Sequence, residues 1–324
     1  MKQLCNISSL NEFLSVPAIH IQKSQVWAAA TPKDGEVAIR RRRALRRVDR
    51  ELQKGNYKAA LSTMKHLQAH PAGLLRGFGA AAPKVCGSVS ALDELNLTME
   101  TEIQSLQSVV DSILHSVQRS LEFQLQDEET EVLLQDYGKV TDAESYSSIY
   151  EDHLMCMQHE AGHFLVGYML GVLPKRYKVP SVQDLLQDKL ARGKVDFLGF
   201  EFLRDIGPDT MSNKNFSKGK LNKETLKKFT RVILGGLAAE HLLFGYSELL
   251  HSDVEKLDRV LKWLGLNKNE VNCEVRQAAE AAVLILCSYG EAQSRLAEAM
   301  ALGRSVGFCI ETIETTLNFK KRTL

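Results

Sequence analysis

The sequence predicts a mainly α-helical fold with one short edge strand or small sheet. Apolar residues recur three and four apart through most of the 324-residue chain, the spacing of helices with one buried face. Val195-Asp196-Phe197-Leu198-Gly199-Phe200-Glu201-Phe202 shows the clearest alternation with the period of two that suits a strand. Hydrophobic residues make up 44% of the chain, enough for the core of one large or two modest domains. The most apolar run, Ala281 to Cys287, is far shorter than the roughly 20 residues a bilayer span needs, so no transmembrane segment is expected.

Residues 1–28 read as a transit peptide. They hold Ser8, Ser9, Ser15 and Ser24 with one acid, Glu12, and no arginine precedes Arg40. Mitochondrial presequences are Arg-rich, so a plastid address fits better, with Val26-Trp27-Ala28-Ala29-Ala30 offering small residues for processing. Residues 29–90 form a second segment, a basic helical hairpin and a Gly/Ala-rich linker. Its apolar face is Ala44, Leu45, Val48 and Leu52, then a Gly55-Asn56-Tyr57 turn, then Ala59, Ala60, Leu61, Met64 and Leu67. Glu51 to Leu61 resembles half of a tetratricopeptide repeat, but a single copy cannot stack, so a local hairpin is expected. Arg40-Arg41-Arg42-Arg43 reads as a solvated helix face rather than a phosphate site. The linker from Gly73 to Gly87 is the expected domain boundary. Its Gly77-Phe78-Gly79 lacks the Lys-Ser/Thr of a phosphate loop.

The third segment, residues 91–324, opens with one or two acidic amphipathic helices over 92–135. Met99, Ile103, Leu106, Val110, Ile113 and Val117 keep heptad spacing for under three repeats without alternating flanking charges, which favours packing on the following domain over a coiled-coil arm. A helix over 149–170 follows, then a short helix over 182–190, the Phe-rich strand and a polar, mobile loop from Asp205 to Lys220. Helices are expected at Lys223–Phe244 and Ser252–Leu264, and a helical tail over 269–317 breaks near Gly290 and Gly303-Gly307.

The net charge of +1 argues against a dedicated nucleic-acid binder. It conceals ten bases against four acids between Lys33 and Lys58, and thirteen acids against two bases between Asp93 and Glu144, each read as a solvated face. Six scattered cysteines without a close CxxC pair read as reduced thiols. Cys156, three residues before His159, reads as a core thiol rather than an extra ligand.

The chemistry concentrates in Met157-Gln158-His159-Glu160-Ala161-Gly162-His163-Phe164. On a helix, His159 and His163 share one face and both imidazoles reach one metal ion. Glu160 can then approach a metal-bound water without being a ligand. Zinc lowers the pKa of such a water to about 7, and a glutamate can take its proton as the water attacks a carbonyl. With 9 histidines in 324 residues, chance yields the pattern in roughly one chain in a hundred or fewer. A catalytic zinc needs a third protein ligand. Position 169, where some HExxH sites carry it, is Met169, which leaves Glu224, Glu240, Asp253 or Asp258, and spacing alone does not choose.

His159-Glu160-Ala161-Gly162-His163, followed by Leu234-Gly235-Gly236-Leu237-Ala238-Ala239-Glu240 and Phe244-Gly245, resembles the peptidase domain of FtsH-type zinc metalloproteases. The resemblance runs from about Glu151 to Leu264. It implies a helical HExxH zinc-peptidase domain whose third ligand is Asp253, in Ser252-Asp253-Val254. It also implies that Phe197, Leu198, Gly199 and Phe200 bind substrate along an edge strand by backbone pairing. The small residues of Leu234–Glu240 let that helix pack closely on the metal helix, with Glu240 in a supporting role. Membrane helices and an AAA ATPase module, found in FtsH proteins, are not seen here. Leu237 stands where arginine is common, and Ser247 to His251 lacks the family's Thr-Gly-Ala run. The chain is most similar to the ATPase-lacking, FtsH-related proteins of plant plastids. The resemblance implies a zinc-dependent, ATP-independent endopeptidase acting on polypeptides in the chloroplast, in the stroma or peripheral to the thylakoid. The alternative is a zinc-stabilised, non-proteolytic partner of an FtsH-type complex.

Overall fold

Among the described residues the chain forms ten α-helices and one two-stranded antiparallel sheet. The computed structural model describes residues 32–320 apart from 72, 83–99, 127–141, 189–190, 205 and 207–221. The expected transit peptide, the far end of the linker and nearly all of the polar loop lie outside these residues. In chain order the elements are α1 Pro32–Gln53, α2 Tyr57–Ala69, α3 Glu100–Gln126, α4 Asp142–Met169, β1 Pro174–Lys178, α5 Val182–Gln187, β2 Lys194–Phe197, α6 Lys223–Phe244, α7 His251–Leu264, α8 Lys268–Ser288, α9 Gly290–Ala301 and α10 Val306–Lys320.

Local chemistry fixes the helix ends. Asn222 caps α6 by accepting from the Thr225 backbone N–H at 2.7 Å, and Gly245 ends it in the left-handed region with φ 84°. Asn267 and Glu270 form a capping box that starts α8. The Phe-rich stretch departs from expectation: the strand stops at Phe197 rather than running to Phe202. Gly199, at φ 96°, turns the chain, and Glu201–Arg204 closes into a 3-10 turn. The phenylalanines that mimic strand alternation form a cluster instead. The Phe200 ring packs on Phe197, Phe202 and Phe229 at centroid distances of 5.5–6.1 Å. The partner of β2 is β1, which pairs Arg176 with Asp196 and Lys178 with Lys194.

Helices α4 and α6 form the central pair. α8 covers α6, α9 lies on α4, and α3 packs across α6, α7 and α8. Val110, Ile113 and Val117 are the buried face of α3, so the heptad spacing serves packing on the domain. The basic hairpin is not set apart. Leu45, Val48, Met64 and Leu67 join Phe164 and Leu165 in one continuous core, and α1 docks on α10.

The arginine run also departs from a purely solvated face. Arg41 is buried and holds Glu311 of α10 with two bonds, at 2.6 and 2.9 Å, while Arg42 reaches the same carboxylate at 3.2 Å. Three residues on, buried Glu314 accepts from the backbone N–H groups of Arg76 and Gly77 and from the Tyr168 hydroxyl. Among the described residues, Arg41 and Arg42 of the basic hairpin pair with Glu311 of α10, while Asp111 of the acidic α3 pairs with Arg276. Replacing Arg41 by methionine strands a largely buried carboxylate and should cost about 3 kcal/mol. Denaturant unfolding of R41M should show that loss, and the double variant R41M/E311M should recover much of it.

Candidate metal centre

The site is built where α4 and α6 touch backbone to backbone. A Cβ at Gly162 would collide with the Gly235 carbonyl oxygen and lie 2.8 Å from the Ala239 Cβ, and one at Gly235 would lie 3.0 Å from the Gly162 carbonyl oxygen. Glycine at both positions permits this approach. It brings Val232, Gly236 and Glu240, spaced four apart on one face of α6, against the histidine rings of α4.

The hydrogen bonds determine which ring nitrogens carry protons. His163 Nδ1 lies 2.7 Å from the Val232 carbonyl oxygen, which only accepts, so Nδ1 donates. His159 Nδ1 lies 2.5 Å from Glu240 Oε1, while Glu240 Oε2 accepts from the backbone N–H groups of Glu248 and Leu249 at 2.8 and 3.2 Å. With Nδ1 donating in both rings, the two Nε2 atoms turn towards one point, where each offers a lone pair when its ring is neutral. There the two Nε2 atoms are 2.9 Å apart and lie 3.0 and 2.8 Å from Asp253 Oδ2. These three buried atoms converge closely enough to share one cation, either a proton carried by His159 or a metal ion. His159, His163 and Asp253 can hold a metal ion. Gly236 keeps the place open, since a Cβ there would sit 2.6 Å from His159 Cε1 and from His163 Nε2.

Electrostatics agree. Burial disfavours a charged His159, but the Asp253 and Glu240 carboxylates outweigh it and raise its pKa to about 10. The protein field here favours positive charge. Burial alone would raise Asp253, yet the facing histidines bring it well below the usual carboxylate range. The other Asp253 oxygen, Oδ1, accepts from Lys256 Nζ at 2.9 Å. Asp253 also lies in the first turn of α7, where the helix end favours an anion.

Glu160 is placed differently. Its Oε2 is buried and has no hydrogen-bond partner among the described residues. Burial raises its pKa, against the lowering effect of the two histidines. It lines a cleft of about 310 Å³ together with His159, His163 and Asp253. Gly193 presses on it from β2's approach, where a Cβ would lie 2.5 Å from Oε1.

Of the four open candidates for third ligand, the structure brings Asp253 to the histidines. Glu240 sits behind His159 as its orienting partner. Glu224 is exposed and paired with Lys228, and Asp258 is paired with Lys262. Cys156 is buried and outside the ligand group; burial and nearby Glu160 push its thiol up to about 12. Among the residues expected to bind substrate, Phe197 and Phe200 line the cleft and Leu198 and Gly199 do not. Sequence reasoning missed Lys256, the Val232 carbonyl and Gly193. Only Lys256, one turn beyond Asp253, carried a signal in its spacing.

Comparisons with protein-family models, curated proteins and solved structures give no match. Two substitutions probe the centre itself. Gly236→Ala should fill the space in front of the rings and reduce bound zinc per folded chain to near zero by elemental analysis. Glu240→Gln should weaken zinc binding about 10–100-fold in competition with a chelating dye.

Proposed function

We propose that the chain is a zinc-dependent, ATP-independent metallopeptidase that hydrolyses peptide bonds of polypeptides. The observation that carries this reading is the pairing of two features in one cleft. Three convergent lone-pair donors, His159, His163 and Asp253, stand beside a buried glutamate oxygen with no hydrogen-bond partner among the described residues. Two imidazoles and one carboxylate suit zinc, which when bound supplies Lewis acidity to a water and to the substrate carbonyl.

The remaining work falls to the chain. Glu240 and the Val232 carbonyl hold the two rings in the tautomer that offers Nε2, and Lys256 fixes the orientation of Asp253. Glu160 Oε2 takes the proton of the attacking water and returns it to the leaving amide nitrogen. Its raised pKa makes it a stronger base than an exposed glutamate. Residues 192–197 form one wall of the cleft. Among the described residues, β2 pairs only with β1, so its other edge is free to accept an extended substrate backbone.

A purely structural zinc is closed by four protein ligands, and the described residues supply three. This favours the catalytic reading over a zinc-stabilised partner of an FtsH-type complex. Among the described residues no helix is long and apolar enough to cross a membrane. The resemblance to the FtsH-related plastid proteins, and with it a chloroplast site of action, forms part of this proposal.

The test is cleavage of an unfolded protein by the zinc-loaded chain without ATP, beside Glu160→Gln. The variant should keep its zinc and lose about 100-fold or more of the rate. Equal cleavage by the two would sink the assignment of Glu160. Because the base must be deprotonated, kcat/KM should fall as pH drops through the Glu160 pKa. That acid limb should lie above the ordinary glutamate value of 4.5, and a pH–rate profile checks it.

A further inference from the structure

We propose that the cleft selects polypeptide segments that carry a carboxylate close to the scissile bond, and that Arg259 is the residue that reads it. This rests on the metallopeptidase reading and adds its substrate class.

Charge in the cleft is one-sided. Outside the metal centre its walls carry six bases, Lys175, Arg176, Arg192, Lys194, Lys256 and Arg259, against two acids, Asp196 and Glu201. Several bases are already committed. Arg176 and Lys194 share Asp196 at 2.6 and 2.9 Å, Lys175 lies over the Tyr57 ring, and Lys256 holds Asp253. Arg259 is not satisfied in this way. Its Nε is buried without a hydrogen-bond partner among the described residues, and its Nη2 lies 3.9 Å from Glu255 Oε1, beyond hydrogen-bond reach.

Position makes this informative. Asp253, Lys256 and Arg259 follow one another at three-residue spacing along α7, and all three line the cleft. Arg259 thus stands about two turns along α7 from the metal ligand, beside Val260, in a cleft that also contains Phe200 and Ile233. The Arg259 side chain is 31% exposed. The outer edge of its guanidinium, beside apolar walls, can therefore donate to a planar carboxylate, which a fork of N–H groups binds better than it binds water. An acidic partner also meets the net positive field of the mouth on approach. The carboxylate can belong to an Asp or Glu side chain or to a chain terminus.

The experiment uses the full zinc-loaded chain with quenched peptides that differ only in Glu or Gln beside the cleavable bond. A second pair differs only in a free or amidated C-terminus. Wild type should cleave the preferred carboxylate peptide about tenfold faster in kcat/KM than its neutral twin, and whichever pair shows the effect identifies the source. In Arg259→Gln that ratio should fall towards one, and in Arg259→Lys it should be only partly kept. In wild type alone, the ratio should shrink as salt is raised.

Fluorescence anisotropy of the same peptides on zinc-loaded Glu160→Gln gives a readout without turnover, and binding should show the same preference. Equal cleavage of acidic and neutral peptides would overturn the proposal and leave the metallopeptidase reading standing. Carboxylate-selective binding that depends on Arg259, with no cleavage of any peptide by wild type, would support the recognition site and remove the peptidase reading. No preference in either assay overturns the proposal.

Discussion

The contact on which the site depends is the approach of Gly162 on α4 to Gly235 on α6. Side chains at these positions would hold the helices apart, and the two histidines would lose both groups behind them. The approach sets the Val232 carbonyl against one ring and the Glu240 carboxylate against the other, two turns apart on α6. Gly236 lies between them and leaves the space that the Nε2 atoms face. A bare helix–helix contact of small residues thereby becomes a tautomer-fixing device. The surrounding helices hold it in place, with α8 and α3 on α6 and α9 on α4.

Glu240 joins two parts of the centre that are distant in sequence. One oxygen orients His159, and the other gathers the backbone N–H groups of Glu248 and Leu249 just before α7 begins. The segment that delivers Asp253 is therefore tied to the same carboxylate that orients the first histidine. Three hydrogen-bond contacts at this residue offset the cost of burying its charge. The site is thus assembled from α4, α6 and α7 through one buried acid.

What was legible in the sequence was local. His159 and His163 lie one turn apart, so helical geometry alone puts them on one face. The ends of α6 agree with the caps Asn222 and Gly245 written into the chain. Asp253 could not be separated by spacing from Asp258, Glu224 or Glu240, because its place depends on the turn after α6 and on the contact with Glu240. The strand was overextended because Phe197, Phe200 and Phe202 mimic alternation, while in fact Phe200 and Phe202 pack on Phe229 and Phe197 packs on Phe200. β1, reading Pro-Lys-Arg-Tyr-Lys, has too few apolar residues to announce itself. Arg41 was hidden in a run of four arginines, since nothing local marks which one meets a glutamate 270 residues away.

That last separation bears on how the molecule comes together in time. Glu311 and Glu314 on α10 supply what Arg41, Arg76, Gly77 and Tyr168 need, across sequence gaps of 270, 238, 237 and 146 residues. Until α10 is synthesised, a cationic side chain destined for the interior has no counter-charge and two backbone donors have no acceptor. Burying them without α10 in place would be costly. The last described helix thus acts as a latch, coupling burial of the hairpin and of the end of the histidine helix to its own docking.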